Sequence, residues 1–169
     1  AIDFNELRLP WFDYWLKGKN NGIDKTKKVN IFVMGKNEWK ESDVWPLKNT
    51  TYTNYYLNKE FNGEIDSVHS GSLSEKMENE SSQISFTNDI ENPVPSLGGN
   101  TLSIPNGVFE HSEIDKQCIT FSTNTLENEL EITGPVSAEI YVNSNHQNSD
   151  WIVRLCDIDE SGYSRIVSD

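Results

Sequence analysis

Trp151-Ile152-Val153-Arg154-Leu155-Cys156-Asp157-Ile158 runs into the turn Asp159-Glu160-Ser161-Gly162 and returns as Tyr163-Ser164-Arg165-Ile166-Val167. Trp151, Val153, Leu155 and Asp157 alternate with Ile152, Arg154, Cys156 and Ile158, the period of two that sends successive side chains to opposite faces of a strand. Asp and Gly between the arms supply hairpin turn chemistry. Working back from this hairpin, Val136, Ala138, Ile140 and Val142 share one side of a further strand, 136–142, entered through the turn Gly134-Pro135. Leu130–Thr133, Cys118–Ser122, Ile84–Phe86, the surroundings of Leu73, the Tyr- and Thr-rich stretch Thr51–Leu57, and Val29–Met34 read as strands too. Trp39–Trp45 is a polar stretch with two tryptophans, closed by Pro46. Asp89–Asn106 holds Pro93, Pro95, Gly98, Gly99 and Pro105 and reads as a long loop, because neither regular element tolerates that many breakers. Many short strands, regular turn signals and almost no helix imply a sandwich or a jelly roll.

The opening of the chain breaks this pattern. Trp11, Phe12, Trp15 and Leu16 recur at i, i+1, i+4 and i+5 and make one wide apolar stripe on a helix. Pro10 suits a first turn or a kink, and Gly18 suits the stop, where a left-handed residue costs little. Residues 19–28, KNNGIDKTKK, read as a polar linker before the period changes to that of strands. A short helix this aromatic needs a body to pack on, and a small β-domain supplies little of it. The four side chains Trp11, Phe12, Trp15 and Leu16 are therefore candidate interdomain packing residues, and sequence preceding Ala1 is expected.

Composition narrows the function. The 169 residues have 35% hydrophobic, 24% charged and 11% aromatic side chains, with a net charge of −13. The aromatics argue against disorder. The acidity repels phosphate backbones and anionic membranes, so neither nucleic acid nor a membrane is an expected partner. No apolar run is long enough to span a bilayer, and no signal segment opens the chain. Cys118 and Cys156 lie in apolar-patterned segments without a CxxC spacing, so buried thiols in a reducing cytoplasm are expected, not a disulfide or a zinc site. The sequons Asn49-Thr50-Thr51 and Asn79-Glu80-Ser81 arise by chance often enough to decide nothing.

A resemblance adds to this reading. Trp11-Phe12-Asp13-Tyr14-Trp15-Leu16-Lys17-Gly18 resembles the WFDYWLKG signature of the CocE/NonD hydrolases, serine esterases and acylases related to X-Pro dipeptidyl-peptidases. The likeness continues in order through Val29–Gly35, Trp39, Trp45-Pro46-Leu47, Tyr55-Tyr56-Leu57 and Ser70-Gly71-Ser72-Leu73. Asn92-Pro93-Val94-Pro95-Ser96-Leu97-Gly98-Gly99 is similar to the family's NPVPTxGG loop, Leu130–Val136 to its LExTGPV turn, and the hairpin of residues 150–169 to its own. The resemblance implies that residues 1–18 are the last helix of an α/β-hydrolase domain, 19–28 a linker, and 29–169 a galactose-binding-like jelly roll, cut short at its C-terminal end. It also implies a Ser-His-Asp triad upstream of Trp11, in a domain against which the jelly roll packs, acting on a small ester or amide.

The residues themselves carry no such machinery. An acyl hydrolase needs a nucleophile held near a histidine and an oxyanion hole. No G-x-S-x-G string occurs; His69-Ser70-Gly71-Ser72 lacks the flanking glycines and reads as part of a turn region. His69, His111 and His146 stand in polar surroundings and read as surface histidines. Asp157-x-Asp159-x-x-Gly162 lacks the remaining oxygen ligands of a calcium loop, and a hairpin turn explains it equally well. No catalytic residue, metal or cofactor is therefore expected, and the chain alone is expected to be inactive. Asp13 and Lys17 read as a solvated helix edge. Trp39, Trp45 and Trp151 read first as core or interdomain packing. The alternative is that they stack on sugar rings in a free-standing carbohydrate-binding jelly-roll module, a protein with no use for the aromatic helix.

Overall fold

The computed structural model describes residues 3–60, 65–78, 82–99 and 107–169. The chain gathers into two compact units, Ala1–Thr51 with Glu131–Val136, and Tyr52–Leu130 with Ser137–Asp169. It is mainly β after one aromatic helix, as expected.

In the first unit, α1 spans Phe4–Lys17. The Asp3 carboxylate accepts from the Asn5 amide at 2.8 Å, satisfying one of the amides that a helix start leaves unpaired. Gly18 ends the helix at φ 63°, where the amides of Gly18 and Lys19 reach the carbonyls of Tyr14 and Asp13. The helix begins about two turns before the aromatic stripe, so Pro10 lies inside it and not in its first turn. The presumed linker turns back on the helix. Ile23–Lys25 forms a 3-10 turn, and the Asn21 side chain donates to the Pro10 carbonyl at 2.6 Å.

β1 (Val29–Val33) and β2 (Glu38–Ser42) pair antiparallel, Val29 opposite Ser42 and Val33 opposite Glu38. Val29, Ile31 and Val33 turn to the more covered side, whereas Phe32 and Trp39 oppose each other on the other, with ring centroids 5.3 Å apart. β2 falls in the stretch read as merely polar: with one apolar residue in EWKES, its strand character comes from its partner β1. The returning segment 131–136 is pinned to this hairpin by Glu131. Its carboxylate accepts from Lys40 Nζ at 2.5 Å, Lys36 Nζ at 3.2 Å and Thr133 Oγ1 at 3.0 Å. Those donors, Lys40 first, hold the Glu131 carboxyl down at about 2.

The second unit contains a three-stranded sheet in the order β3 (Tyr56–Asn58), β4 (His69–Ser74), β5 (Ile119–Ser122), with β3 and β4 antiparallel and β4 and β5 parallel. Gly71 lies in the central strand because a Cβ there would sit 2.5 Å from the Asn58 carbonyl oxygen and 2.6 Å from the Phe121 ring. A one-turn helix, α2 (Ser112–Asp115), precedes β5, and β6 (Leu155–Ile158) pairs antiparallel with β7 (Ser164–Ser168). Ile114 and Ile166 are buried here alongside polar Asn58, Ser70, His111, Asp115, Ser122 and Ser164. Asn58 shows how such polarity is tolerated. Its amide donates to Ser74 Oγ and the Lys76 carbonyl, and its oxygen accepts from the Glu78 amide. Cys118 and Cys156 are free, half-buried thiols, and burial pushes both above the ordinary thiol value.

Ile84–Phe86, Leu130–Thr133, Val136–Val142 and Trp151–Arg154 do not join a ladder. Alternation predicts which face a residue would take, but a strand also needs a neighbour for its amides and carbonyls. Tyr141 and Ile152 stand largely in solvent. The loop read over 89–106 is irregular through Leu97, and its residues 100–106 lie outside those described, as does the sequon at 79–81.

Two pH dependences follow. Because the folded chain lowers the Glu131 carboxyl from 4.5 to about 2, its contribution is complete above 4.5 and is lost as pH falls toward 2. Glu131→Gln is expected to lower the thermal midpoint at neutral pH and to flatten its acid dependence, read by tryptophan fluorescence; parallel curves for both proteins would refute the clamp. The thiols act in the opposite sense: raised values mean stability present below the ordinary 9.0 and lost as pH climbs through the raised values. The double variant Cys118→Ala/Cys156→Ala is expected to lose less of its midpoint between neutral and strongly alkaline pH.

Candidate interaction surface

α1 contains no buried residue. Trp11 is 49% exposed, Phe12 46%, Trp15 60% and Leu16 73%, values far above those of rings in a core. The rings are arranged on one another: Trp11 and Phe12 meet edge to face at 5.2 Å, Trp11 and Trp15 lie 6.3 Å apart, and Tyr14 meets Trp15 edge-on at 5.0 Å. Phe4 and Leu7 extend the exposed surface toward the helix start. Sequence reasoning passed over these two, although Leu7, Trp11 and Trp15 recur every four residues and so share a face. The edge of the helix is charged. Asp13 accepts from Lys17 at 2.7 Å and Lys19 at 2.8 Å, and these two ammonium groups hold its carboxyl below the usual range.

The three further tryptophans are not gathered into one site. Trp39 rests against Phe32, and Trp45 is half exposed in the same unit. Trp151 belongs to the other unit and meets Phe86 edge to face at 6.0 Å.

The serine and histidine positions take structural places. Ser70 and Ser72 stand in β4, not in a turn: the strand is paired on both sides, and Ser70 is buried. A nucleophile needs the opposite, a hydroxyl raised on a sharp turn. His146 is exposed and His69 partly covered, with its ring near Phe121. His111 overturns the surface expectation. It is fully buried, with one ring nitrogen against the Leu97 carbonyl and the other against Arg154. The polar neighbours that suggested solvent, Glu110 and Ser112, instead bond each other and β7: the Ser112 hydroxyl donates to the Glu110 carboxylate, which also accepts from the Ser112 and Ser164 amides.

Asp159 carries hairpin geometry. One carboxylate oxygen accepts from the Ser161 amide, the Ser161 hydroxyl and the Tyr163 amide, and the other from Arg165 at 2.8 Å. These donors, led by the Ser161 hydroxyl, hold the carboxyl at about 2. Among the described residues no group of three or more His, Cys, Asp or Glu is placed to hold a metal ion, and no helix is long and apolar enough to cross a membrane.

Residues 21–169 match the family model of the X-Pro dipeptidyl-peptidase C-terminal non-catalytic domain. Over 162 residues the chain is 33% identical to the cocaine esterase of Rhodococcus sp. (strain MB1 Bresler), covering 92% of this chain and 28% of that protein. It is 27% identical to "Putative serine esterase Mb1866c" of Mycobacterium bovis and to "Putative serine esterase MT1883" of Mycobacterium tuberculosis, covering 95% of this chain and 25% of each. The chain thus spans about a quarter of the length of the curated relatives it matches. With a family match over residues 21–169, the chain belongs to the X-Pro dipeptidyl-peptidase C-terminal non-catalytic domain family.

Proposed function

We propose that this domain serves an acyl hydrolase as its accessory part, packing the aromatic face of α1 on an α/β-hydrolase domain and helping to shape the cleft in which a small ester or amide is cleaved. The observation that carries the reading is the exposure of Trp11, Phe12, Trp15 and Leu16 on one helix. Covering the exposed part of each would contribute roughly 1 kcal/mol, about half the value for a fully exposed side chain. The family match begins at residue 21, just beyond α1, which supports assigning residues 1–18 to the catalytic body; most of the 19–28 linker and all of 29–169, the accessory domain, lie within the match. The names of the relatives support an ester as substrate and a serine nucleophile in the longer protein. Two free thiols favour a reducing, cytoplasmic setting.

A second reading, a carbohydrate-binding module, draws on the exposed rings of Phe32 and Trp39, inclined 57° to each other, since an exposed aromatic face can stack on a sugar ring. Micromolar retention on one polysaccharide gel, abolished by Trp39→Ala, would favour it. Under the primary reading the chain alone turns over no activated ester; turnover that disappears on labelling with a serine-directed reagent would overturn this. In the longer protein, Trp11→Ala/Trp15→Ala is expected to lower the thermal midpoint of the catalytic part and reduce kcat/KM severalfold. An unchanged midpoint and unchanged kinetics would remove the interdomain role of α1.

A further inference from the structure

The geometry points to His111 as a neutral imidazole catch, held as its Nε2–H tautomer, that fixes the Pro- and Gly-rich loop ending at Leu97-Gly98-Gly99 onto the β6–β7 hairpin region. The ring is fully buried. Its Nε2 lies 2.6 Å from the Leu97 carbonyl oxygen, which accepts only, so this nitrogen carries the proton. Its Nδ1 lies 3.1 Å from Arg154 Nη1, and a guanidinium donates only, so this nitrogen presents a lone pair. The two neighbours together select one tautomer. A ring protonated on both nitrogens would aim a further N–H at the guanidinium.

The backbone of the same residue completes the junction. The His111 amide donates to the Ser164 carbonyl of β7 at 2.7 Å, and its carbonyl accepts from the amides of Ile114 and Asp115 at the start of α2, each at 2.8 Å. Four segments therefore meet at one residue: the loop through Leu97, β7, α2, and the chain entering β6 through Arg154. Arg154 spans onward, its Nη2 donating to Cys118 Sγ at 2.8 Å, while that thiol donates to the Ile114 carbonyl at 3.3 Å. Backbone bonds to Gly107 hold the next residues of the loop, and the imidazole adds a side-chain anchor beside them. Gly98 and Gly99 stand at φ 76° and 78°, and Gly99 and Gly107 exchange amide–carbonyl bonds of 2.8 and 3.2 Å. A Cβ on Gly98 would fall 2.5 Å from the Gly107 carbonyl oxygen, so the two strands of the loop approach backbone to backbone. The Phe109 ring lies against Gly98, and the adjacent Leu97 carbonyl is the point at which the imidazole grips the loop.

The test uses the longer protein that carries this chain, labelled with 15N-histidine. Long-range 15N–1H correlation spectra are expected to show His111 Nε2 as a protonated nitrogen and Nδ1 as an unprotonated one at neutral pH. The reverse tautomer, or two protonated nitrogens, would overturn the catch. His111→Gln keeps one donor and one acceptor, whereas His111→Leu removes both. Hydrogen–deuterium exchange of peptides covering residues 89–99 is expected to accelerate roughly tenfold in His111→Leu and to return most of the way in His111→Gln, the change that loss and restoration of a buried hydrogen bond produce. Equal exchange in wild type and His111→Leu would also overturn it. Should His111→Leu not fold, the tautomer in the wild-type protein decides the matter.

Discussion

Apolar rings on a helix surface must be taken out of water by something, and α1 provides little to do so itself. Its aromatic residues touch one another, but edge-to-face contact between neighbours on the same helix covers only part of each ring. The capping at Asp3 and Gly18 makes a stable cylinder of the segment, with the rings held at fixed spacing along it. Local chemistry thus builds a rigid, sticky face, and the remaining question is what lies against it. Membership of a non-catalytic C-terminal domain family gives the proposed hydrolase body its physical rationale.

The second unit depends on polar groups that satisfy one another, Asn58 and His111 away from solvent and Asp159 at a solvent-facing turn. Asn58 joins two strands and the segment beyond them, Asp159 closes the β6–β7 turn with four donors, and His111 joins four segments. Such networks are demanding, because a buried donor or acceptor left without a partner costs more than a satisfied bond contributes. They also specify geometry in a way that this unit's buried aliphatic side chains among the described residues, Ile114 and Ile166, do not. In the first unit the corresponding role falls to Glu131, which brings a distant segment onto the β1–β2 hairpin through two lysines.

Much of the fold was readable from short windows. The period of two in 29–34 and 118–122, and the Asp-Gly turn before the final return, correspond to β1, β5 and the β6–β7 hairpin. The helix was readable from four aromatic and aliphatic positions, but its first turns were passed over, even though Phe4 and Leu7 stand three residues apart on the same face as Trp11. Pattern reading failed in both directions at the strands. Glu38–Ser42 has almost no alternation yet pairs with β1 along its whole length, while 136–142 alternates cleanly and pairs with nothing described.

By itself the sequence determined the mainly β class, the aromatic helix and its exposed stripe, the turns, and the absence of a nucleophile elbow, because each is encoded within a few consecutive residues. Tertiary structure alone decided that His111 is buried, that Ser70 sits mid-sheet, and that Glu131 clamps two lysines. Those outcomes depend on groups 14 to 95 residues apart in the chain, such as Leu97 and His111 or Lys36 and Glu131. A side chain's surroundings are set by the path of the backbone through space, which local periodicity does not carry.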